Sequence, residues 1–395
     1  MENTAFSTNN KILTIYLTGH IDSSNAAQTE DDIRVNLSNG GFDSVIIDCE
    51  KLEYISSAGL RVLMKLRKSM DKTLSVINAS RDVYDIFETT GFTELFDVRK
   101  ALRRVNIDGM KLIGSGFSGD VYRMDEETVI KVFRPSIDFD LVISKENEKA
   151  RNAFIAGIPT AIPYDIVRVG DGYGTVYEML DAKELVGIIA EDKEHIDRHI
   201  GNFAKLVKNM HTVKVDPEKF GSVKQDSIGA LPYLASVLTD EEMKKLRGLY
   251  ENIPDRDTFI HGDCHIGNVM ARDGEMMFID LGTAGMGHPI FDMGSMYSIF
   301  VDRADNDEAI AASPVLRQFT KDEIKRIWNV FIHTYLDTED EEFVAAAERQ
   351  IEAISIARRL FMVIAIPGAL TPEVIAAMKQ RLFSLYDSEL GEICF

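Results

Sequence analysis

The stretch "HGDCHIGNVMARDGEMMFIDLG", residues 261–282, largely decides how this sequence is interpreted. It places Asp263 and Asn268 on one short loop and returns to Asp280 after a predicted hairpin. Phosphoryl transfer to a hydroxyl needs a carboxylate near the acceptor oxygen and oxygen ligands that fix Mg²⁺ on the phosphates. Each residue alone has a structural alternative, as a turn former or a cap. The ordered combination instead predicts Asp263 as the base and Asn268 and Asp280 as the metal ligands.

A glycine-rich segment lies upstream, "GSGFSG", with Gly114, Gly116 and Gly119 in a GxGxxG pattern. Glycines let backbone amides approach phosphate oxygens, but this motif alone is a weak signal. A dinucleotide-binding fold would need a helix after it, whereas "DVYRM" and "TVIKVF" continue as strands, which favours a kinase-type glycine-rich flap. Lys131 in "VIKVF" is then predicted to bind the α- and β-phosphates. An exposed lysine on an edge strand is the alternative interpretation.

A helix carboxylate should hold that lysine, because an unpaired charge on a buried strand is unfavourable. The following predicted helix, "VISKENEKARNAFIAG" (142–157), offers two candidates. We predict Glu148 as the partner, with Glu146 as the alternative.

From residue 110 onward the sequence resembles the aminoglycoside phosphotransferase and choline kinase group, small-molecule relatives of protein kinases. The motifs that carry the resemblance are "GSGFSGDVY", "VIKVF", "YEML", "HGDCHIGN" and "FIDLG". It implies a bilobal fold, with a β-rich N-lobe and a helical C-lobe. It also implies an enzyme that uses ATP and Mg²⁺. The implied nucleotide-binding residues are Gly114, Ser115, Gly116, Gly119, Lys131, Glu148, Glu178 and Leu180, with adenine against the backbone of 178–180. The implied catalytic base is Asp263, and the implied metal ligands are Asn268 and Asp280.

The same resemblance gives His261, His265 and Asp292 supporting roles in the fold. Protein kinases usually carry an arginine where this chain has Gly262. Because that arginine normally binds a phosphorylated activation loop, its absence points to a kinase that is not switched in that way, and it also favours a small-molecule acceptor. The acidic runs "VDRADNDE" and "DTEDEEF" would attract a cationic amine. Such runs are more often solvated loops and helix starts.

The first hundred residues alternate strand and helix patterns, which predicts a small α/β domain with helices on its sheet. The predicted strands are 11–19, 44–50 and 74–78. Within "YISSAGLRVL", Ser56 and Ser57 precede an apolar run with helical spacing, so helix capping is expected. Residues 11–100 resemble the STAS domain of anti-sigma factor antagonists. That resemblance aligns Ser57 with a phosphorylated serine and Ser56 with an aspartate of the family.

Composition sets the remaining expectations. The 395-residue chain has a net charge of −20, which disfavours binding to a nucleic-acid backbone. Its three cysteines are far apart and suggest neither disulfides nor a thiolate metal site. The absence of a secretion signal or a long apolar run predicts a cytoplasmic protein that does not associate with membranes.

We therefore expect two domains: a STAS-like regulatory or docking domain at 1–105, and a kinase-like fold with its N-lobe at 106–180 and its C-lobe at 181–395. The leading hypothesis is ATP- and Mg²⁺-dependent phosphorylation of a hydroxyl on an amino alcohol, a sugar or an aminoglycoside-like molecule. The competing hypothesis is a signalling protein that binds a protein partner through the STAS domain. Its kinase-like part would then sense nucleotide or phosphorylate a protein serine such as Ser57.

Overall fold

The computed structural model describes residues 3–70, 73–116, 118–365, 370–387, 393 and 395. The chain divides into two compact units, residues 1–105 and 106–395. No helix in the described part of the chain is long and apolar enough to cross a membrane.

The first unit alternates strands and helices, as its hydrophobic pattern predicts. Its elements are β1 Thr4–Asn9, β2 Ile12–Ile21, α1 Ala26–Ser38, β3 Ser44–Ile55, α2 Ser57–Lys68, β4 Thr73–Ala79, α3 Arg81–Thr89 and β5 Asp97–Lys100. The sheet order is β1-β2-β3-β4-β5, with β1 antiparallel to β2 and the other pairs parallel. Parallel neighbours need crossovers, which the three helices supply. The predicted α/β fold with helices on the sheet is confirmed.

The core of this unit lies between the sheet and its helices. Ile15, Ile47 and Val76, on three adjacent strands, are almost fully buried. Leu63 and Phe87 on the helices are buried in the same cluster. At about 25 cal/mol per Å² of apolar surface, burial of this kind is the main favourable contribution to folding.

The second unit begins with an antiparallel sheet. Its strands are β6 Lys111–Ser115, β7 Gly119–Arg123, β8 Thr128–Phe133, β9 Pro163–Val169 and β10 Gly172–Glu178, in the order β6-β7-β8-β10-β9. Helix α4, Ser144–Ile155, lies in the chain between β8 and β9 and follows a π-helical segment at 139–143. The β-rich lobe that the sequence predicted is therefore present.

The rest of the second unit is mainly helical. Its helices are α5 Leu185–Glu191, α6 Ile196–Met210, α7 Pro217–Phe220, α8 Val223–Ala230, α9 Asp240–Glu251, α10 Ile290–Phe300, α11 Asp307–Ala312, α12 Lys321–Leu336, α13 Glu341–Leu360, α14 Met362–Ala365 and α15 Pro372–Asp387. Its short strands are β11 Lys183–Glu184, β12 Phe259–Ile260, β13 Val269–Arg272, β14 Glu275–Phe278 and β15 Gly285–Met286. They form two small sheets, β11-β13-β14 and β12-β15. Strands β12 and β15 flank the 261–282 stretch, and β13 and β14 form the hairpin within it. The predicted bilobal, kinase-like architecture is confirmed.

Candidate functional site

The glycine motif forms the turn between β6 and β7. The Gly116 N–H donates to the Gly119 carbonyl at 2.8 Å, which closes the turn. A Cβ at Gly119 would lie well inside van der Waals contact with the Val132 carbonyl of β8, so only glycine fits there. Gly114 and Gly116 have room, because the nearest atoms to a Cβ lie 3.7 and 3.8 Å away. Phe117, in the middle of the motif, lies outside the described residues.

Ser115 helps to hold this turn through its side chain. Its hydroxyl donates to Asp120 Oδ1 at 2.6 Å, and Asp120 also pairs with Arg134 at 2.9 Å. The Ser115 side chain is therefore bound within the hairpin, which leaves its backbone as the part that could contact a phosphate.

Lys131 lies on β8 with its ammonium group between two carboxylates. Nζ is 2.7 Å from Glu146 Oε1 and 3.0 Å from Asp280 Oδ1. Tyr177 donates a further hydrogen bond to Glu146 at 3.3 Å. Burial opposes the charge of Lys131, but the two carboxylates outweigh it and raise its pKa, which keeps the ammonium protonated.

The predicted pairing of Lys131 with Glu148 is wrong. Glu146 is the partner, with only 6% of its side chain exposed, whereas Glu148 on the same helix is exposed. Residues two apart on an α-helix point about 200° away from each other, so only one of them can face the sheet. The weaker of the two candidates from the sequence is the one that the fold uses.

Asp263 lies on the loop after β12 and is held by several groups. Asn268 Nδ2 donates to its carbonyl at 2.9 Å, and Ser295 donates to its Oδ1 at 3.3 Å. Arg358 Nη2 lies 3.2 Å from the same Oδ1, and His265 Nε2 lies 3.7 Å from Oδ2. Burial raises the pKa of Asp263, but His265 and the Arg358 charge outweigh it and hold that pKa well below its usual value. The side chain is therefore a carboxylate at neutral pH.

Two buried residues set the backbone of this loop. Asp292 on α10 accepts hydrogen bonds from the N–H groups of His261 at 2.9 Å and Gly262 at 2.7 Å. It also pairs with His211 at 3.0 Å. The Asp263 N–H donates to His261 Nδ1, so His261 Nε2 carries the proton and donates to the Ile279 carbonyl at 3.1 Å. Burial lowers the pKa of His261, which keeps its ring neutral.

Gly262 adopts a left-handed conformation with φ of 82°. A Cβ there would lie well inside contact distance of the Thr283 carbonyl oxygen. A side chain at this position would therefore strain the loop as well as displace Thr283. This gives a local, steric reason for glycine where protein kinases carry arginine.

Asn268 and Asp280 lie at the two ends of the β13–β14 hairpin. Because Nδ2 of Asn268 points to Asp263, its amide oxygen is turned away from that residue. Asp280 has a left-handed backbone, with φ of 61°, and its side chain is 49% exposed. Among the described residues, no group of three or more histidine, cysteine, aspartate or glutamate side chains could hold a metal ion. An amide oxygen and one carboxylate nevertheless suit Mg²⁺, which takes its other ligands from phosphates and water.

The remaining predicted nucleotide residues, Glu178 and Leu180, lie at and just after the end of β10. The Glu178 N–H donates to the Ile162 carbonyl at 2.9 Å, and the Met179 N–H donates to the Glu127 carbonyl at 2.7 Å. These bonds fix the connection between the β-rich and helical parts of the unit. Its role in binding adenine stays a prediction.

In the first unit, the two serines have different environments. Ser56 is the N-cap of α2, and its hydroxyl accepts from the N–H groups of Ala58 at 3.2 Å and Gly59 at 3.5 Å. Ser57 is the first residue of the helix and is exposed. The predicted cap is present, and phosphorylation of Ser57 stays a prediction.

Sequence reasoning missed two residues that touch Asp263, namely Ser295 and Arg358. They lie on α10 and α13, 32 and 95 residues away along the chain. Neither is part of a motif, and only the packing of the two helices brings them to the loop. Asp292, one helical turn before Ser295, was predicted only as a structural residue, which is the role it has here.

Comparisons with known proteins match both units of the chain to families. The model of the phosphotransferase enzyme family matches residues 109–323, and the STAS domain model matches residues 3–105. Over 85 residues the chain is 34% identical to a protein of Bordetella bronchiseptica named as an anti-sigma factor antagonist, BtrV. That match covers 21% of this chain and 72% of BtrV.

Two solved structures are also similar to parts of the chain. A choline/ethanolamine kinase family protein from Mesorhizobium loti is 14% identical, with a TM-score of 0.47, over 72% of this chain and 92% of its own. An anti-sigma factor antagonist from Mycobacterium paratuberculosis is 18% identical, with a TM-score of 0.23, over 24% of this chain and 83% of its own.

Both family resemblances found in the sequence are confirmed, and the protein is an enzyme of the kinase-type phosphotransferases. The family model spans more than half of the 395 residues, including the glycine motif and the 261–282 stretch. The chain belongs to the phosphotransferase enzyme family and carries a STAS domain of the anti-sigma factor antagonist type at its N-terminal end.

Proposed function

We propose that residues 106–395 transfer the γ-phosphate of ATP to a hydroxyl group of a small molecule, with Mg²⁺ as cofactor. The observation that carries this proposal is the position of Lys131 between Glu146 and Asp280. Through these ion pairs Lys131 links the glycine-rich sheet to the end of the 261–282 stretch. Phosphoryl transfer needs groups that bind the phosphates, the metal and the acceptor close together, as they would be here. The adjacent loop supplies Asp263 as a charged carboxylate.

In this proposal the nucleotide lies between the two lobes, with residues 106–180 as the nucleotide-binding lobe and 181–395 as the acceptor lobe. The turn formed by Gly114, Ser115, Gly116 and Gly119 covers the phosphates, and adenine lies against the backbone of Glu178 to Leu180. Lys131 binds the α- and β-phosphates as a fixed positive charge. The amide oxygen of Asn268 and the carboxylate of Asp280 would hold Mg²⁺, which would neutralise charge on the transferred phosphoryl group.

The reaction itself needs little covalent help from the protein. The acceptor oxygen forms a bond to the γ-phosphorus as the bond from that phosphorus to the β–γ bridging oxygen breaks, and ADP leaves. The proton of the acceptor hydroxyl passes to Asp263, which accepts its hydrogen bond and orients the oxygen for attack. Ser295 and Arg358 orient this carboxylate.

The test is ADP release with ATP and Mg²⁺ over a panel of neutral, cationic and anionic hydroxyl compounds. Asp263→Ala should abolish acceptor-dependent release. Asp273→Ala is the matched control, because Asp273 lies on the exposed β13–β14 turn with 88% of its side chain accessible. If no compound is phosphorylated and Asp263→Ala behaves like the native protein, the proposal fails.

We also propose that the STAS domain regulates or localises the enzyme by binding a protein partner in the cytoplasm. The supporting observation is the exposed Ser57 at the first position of α2, where the positive end of the helix dipole favours an added phosphate. Binding should then change when Ser57→Asp replaces the hydroxyl with a charge. A partner bound equally by the native and Ser57→Asp chains would argue against such a switch.

A second candidate function is that the kinase part phosphorylates a protein serine such as Ser57. Incubation with radiolabelled ATP should then label the intact chain, and Ser57→Ala should remove the label. Ser56→Ala is the control, because Ser56 is engaged as the N-cap. Label that persists in Ser57→Ala would exclude this site.

A further inference from the structure

The side chains around the glycine turn are divided between the two faces of the sheet. Val121 of β7 lies opposite Lys131 of β8, and Asp120 lies opposite Val132. Ser115 of β6 lies opposite Asp120, and their side chains are hydrogen-bonded. Because neighbouring residues of a strand point to opposite faces and paired residues share a face, Ser115 and Asp120 lie on the face away from Lys131. We call this the outer face of the sheet.

Arg134, the residue after β8, joins the two sides of the turn on this outer face. Its Nη1 and Nη2 atoms donate to Asp120 Oδ2 and Oδ1 at 2.9 and 3.0 Å. Nη2 also lies 3.4 Å from the Ser115 hydroxyl oxygen and 3.4 Å from the Gly116 carbonyl oxygen. A guanidinium group that forms two parallel bonds with a carboxylate fixes direction as well as distance. Arg134 therefore links the beginning of the turn to its end.

The backbone of the turn is held by the same strand. The Arg134 N–H donates to the Ser118 carbonyl at 2.9 Å, beside the Gly116 to Gly119 hydrogen bond that closes the turn. At Gly119 the turn lies against the Val132 carbonyl of β8, with no space for a side chain. The backbone and the side chain of Arg134 thus hold the turn at different points.

Asp120 is the centre of this network, although its charge is unfavourable for a phosphate site. The Ser115 hydroxyl and both terminal nitrogens of Arg134 donate to its carboxylate. The Asp120 side chain is 23% exposed and that of Arg134 is 43% exposed, so the pair is partly shielded from water. A carboxylate beside bound phosphates would weaken nucleotide binding through its charge. A role in holding the turn explains its presence there.

The alternative is that Arg134 itself binds a phosphate. The guanidinium group lies on the outer face, opposite to the face that presents Lys131. Its Nη1 donates to Asp120, and its Nη2 donates to Asp120, Ser115 and Gly116. The Asp120 carboxylate therefore offsets its charge before any ligand binds. The arrangement favours a positioning role over direct contact with the nucleotide.

We propose that Arg134 is a positioning residue for nucleotide binding. Together with Asp120 and Ser115, it holds the glycine turn in its phosphate-binding conformation before ATP arrives. This inference rests on the proposed phosphotransferase function and adds a determinant of nucleotide affinity to the same site. A turn that is ordered in advance loses less conformational entropy on binding. The network should therefore act on nucleotide affinity more than on the chemical step.

ADP binding to the full chain, measured by calorimetry with Mg²⁺, tests this role. Arg134→Gln should weaken ADP binding about fivefold or more, and Arg134→Lys should recover only part of the loss, because an ammonium group cannot form the two parallel bonds. Arg123→Gln is the matched control, because Arg123 donates to the Asp125 carbonyl at the other end of β7. Native ADP affinity in Arg134→Gln would overturn the proposal.

A second substitution separates position from charge. Asp120→Asn removes a negative charge near the proposed phosphate site, which through charge alone would strengthen ADP binding. It also removes the carboxylate that Arg134 holds at two points, so we expect weaker ADP binding instead. Because both changes break one interaction, the double variant should bind ADP about as weakly as Arg134→Gln. Tighter binding by Asp120→Asn would contradict the positioning role.

Two further measurements distinguish a positioned turn from a general loss of stability. In the nucleotide-free Arg134→Gln protein, amide hydrogens of the glycine turn should exchange faster than in the native chain, and saturating ADP should restore their protection. In initial-rate kinetics KM for ATP should rise while kcat changes little. Unchanged exchange in the turn, or a fall in kcat at unchanged KM, would refute the proposal.

The proposed function and the role of Arg134 fail in different ways. If the native chain binds ADP, and Arg134→Gln and Asp120→Asn bind it equally well, Arg134 has no positioning role and the phosphotransferase proposal stands. If the native chain does not bind ADP in the presence of Mg²⁺, the proposed function is wrong and this inference falls with it.

Discussion

Replacing Glu146 by glutamine removes the charge that holds Lys131 from the helix side. Glu146 is nearly buried and lies 2.7 Å from Nζ, so the hydrogen bond is charge-assisted and poorly solvated. Such bonds contribute about 1.5–3 kcal/mol. Lys131 keeps its second carboxylate, Asp280, so we do not expect the larger loss of about 3–5 kcal/mol seen when a buried charge is left alone. The change should therefore lower kcat/KM for ATP about tenfold to a hundredfold.

Glu148→Gln is the matched control, because it makes the same chemical change two residues away on an exposed position of α4. Its kcat/KM for ATP should stay within about twofold of the native value, as expected for surface substitutions. Initial rates at varied ATP, together with ADP binding by calorimetry, separate nucleotide affinity from turnover. Equal losses in the two variants, or a larger loss in Glu148→Gln, would refute the pairing and the argument built on it.

Three further predictions test the glycine turn, the helix cap and the charge on the catalytic loop. Gly119→Ala should weaken ADP binding or unfold the sheet, because its Cβ would collide with a strand carbonyl, whereas Gly116→Ala should fold normally; equal tolerance would contradict the steric argument. Ser56→Ala should destabilise α2 by about 1 kcal/mol, which would speed the exchange of its amide hydrogens about fivefold, and Ser57→Ala should change the exchange little. Arg358→Gln removes a cation that lowers the pKa of the catalytic-loop aspartate, so the acid limb of kcat should move to higher pH; an unmoved limb would contradict that role.

Much of the architecture followed from patterns that are local in sequence. Alternating apolar residues at 11–19, 44–50 and 74–78 correspond to β2, β3 and β4, whose faces are buried in the core of the first unit. Two edge strands of the same sheet, β1 and β5, were missed. They are short and largely polar, because an edge strand packs on fewer neighbours and needs less apolar sequence.

The choice between Glu146 and Glu148 could not be made from the sequence. It depends on the rotation of α4 about its axis, which determines the residues that face the sheet. The segment Phe139–Ile143 before it is π-helical, so its backbone hydrogen bonds join residues five apart, whereas those of an α-helix join residues four apart. Sequence spacing does not determine this rotation, so it cannot decide between the two glutamates.

The surroundings of Asp263 were still harder to predict, because their contacts join residues far apart in the chain. Ser295 and Arg358 reach Asp263 only through the packing of α10 on α13. No local sequence motif marks either position, because the sequences of both helices are those of ordinary amphipathic or buried helices. The contacts of the Asp263 carboxylate are consequently a property of tertiary structure.

Arg358 provides a guanidinium group near position 262, where protein kinases usually carry an arginine and this chain has glycine. The sequence suggested that this loop is not controlled by a phosphorylated segment, and the backbone at Gly262 explains why no side chain fits there. The loop nevertheless has a guanidinium group, supplied by α13, which binds the Gly262 carbonyl and Asp263 together. Helix α13 packs on α10, so the position of this guanidinium group is set by the folding of the second unit, although the Arg358 side chain is 42% exposed. We infer that the helical part of the second unit itself holds the backbone of the loop after β12, through Arg358 at the Gly262 carbonyl and Asp292 at the N–H groups of His261 and Gly262.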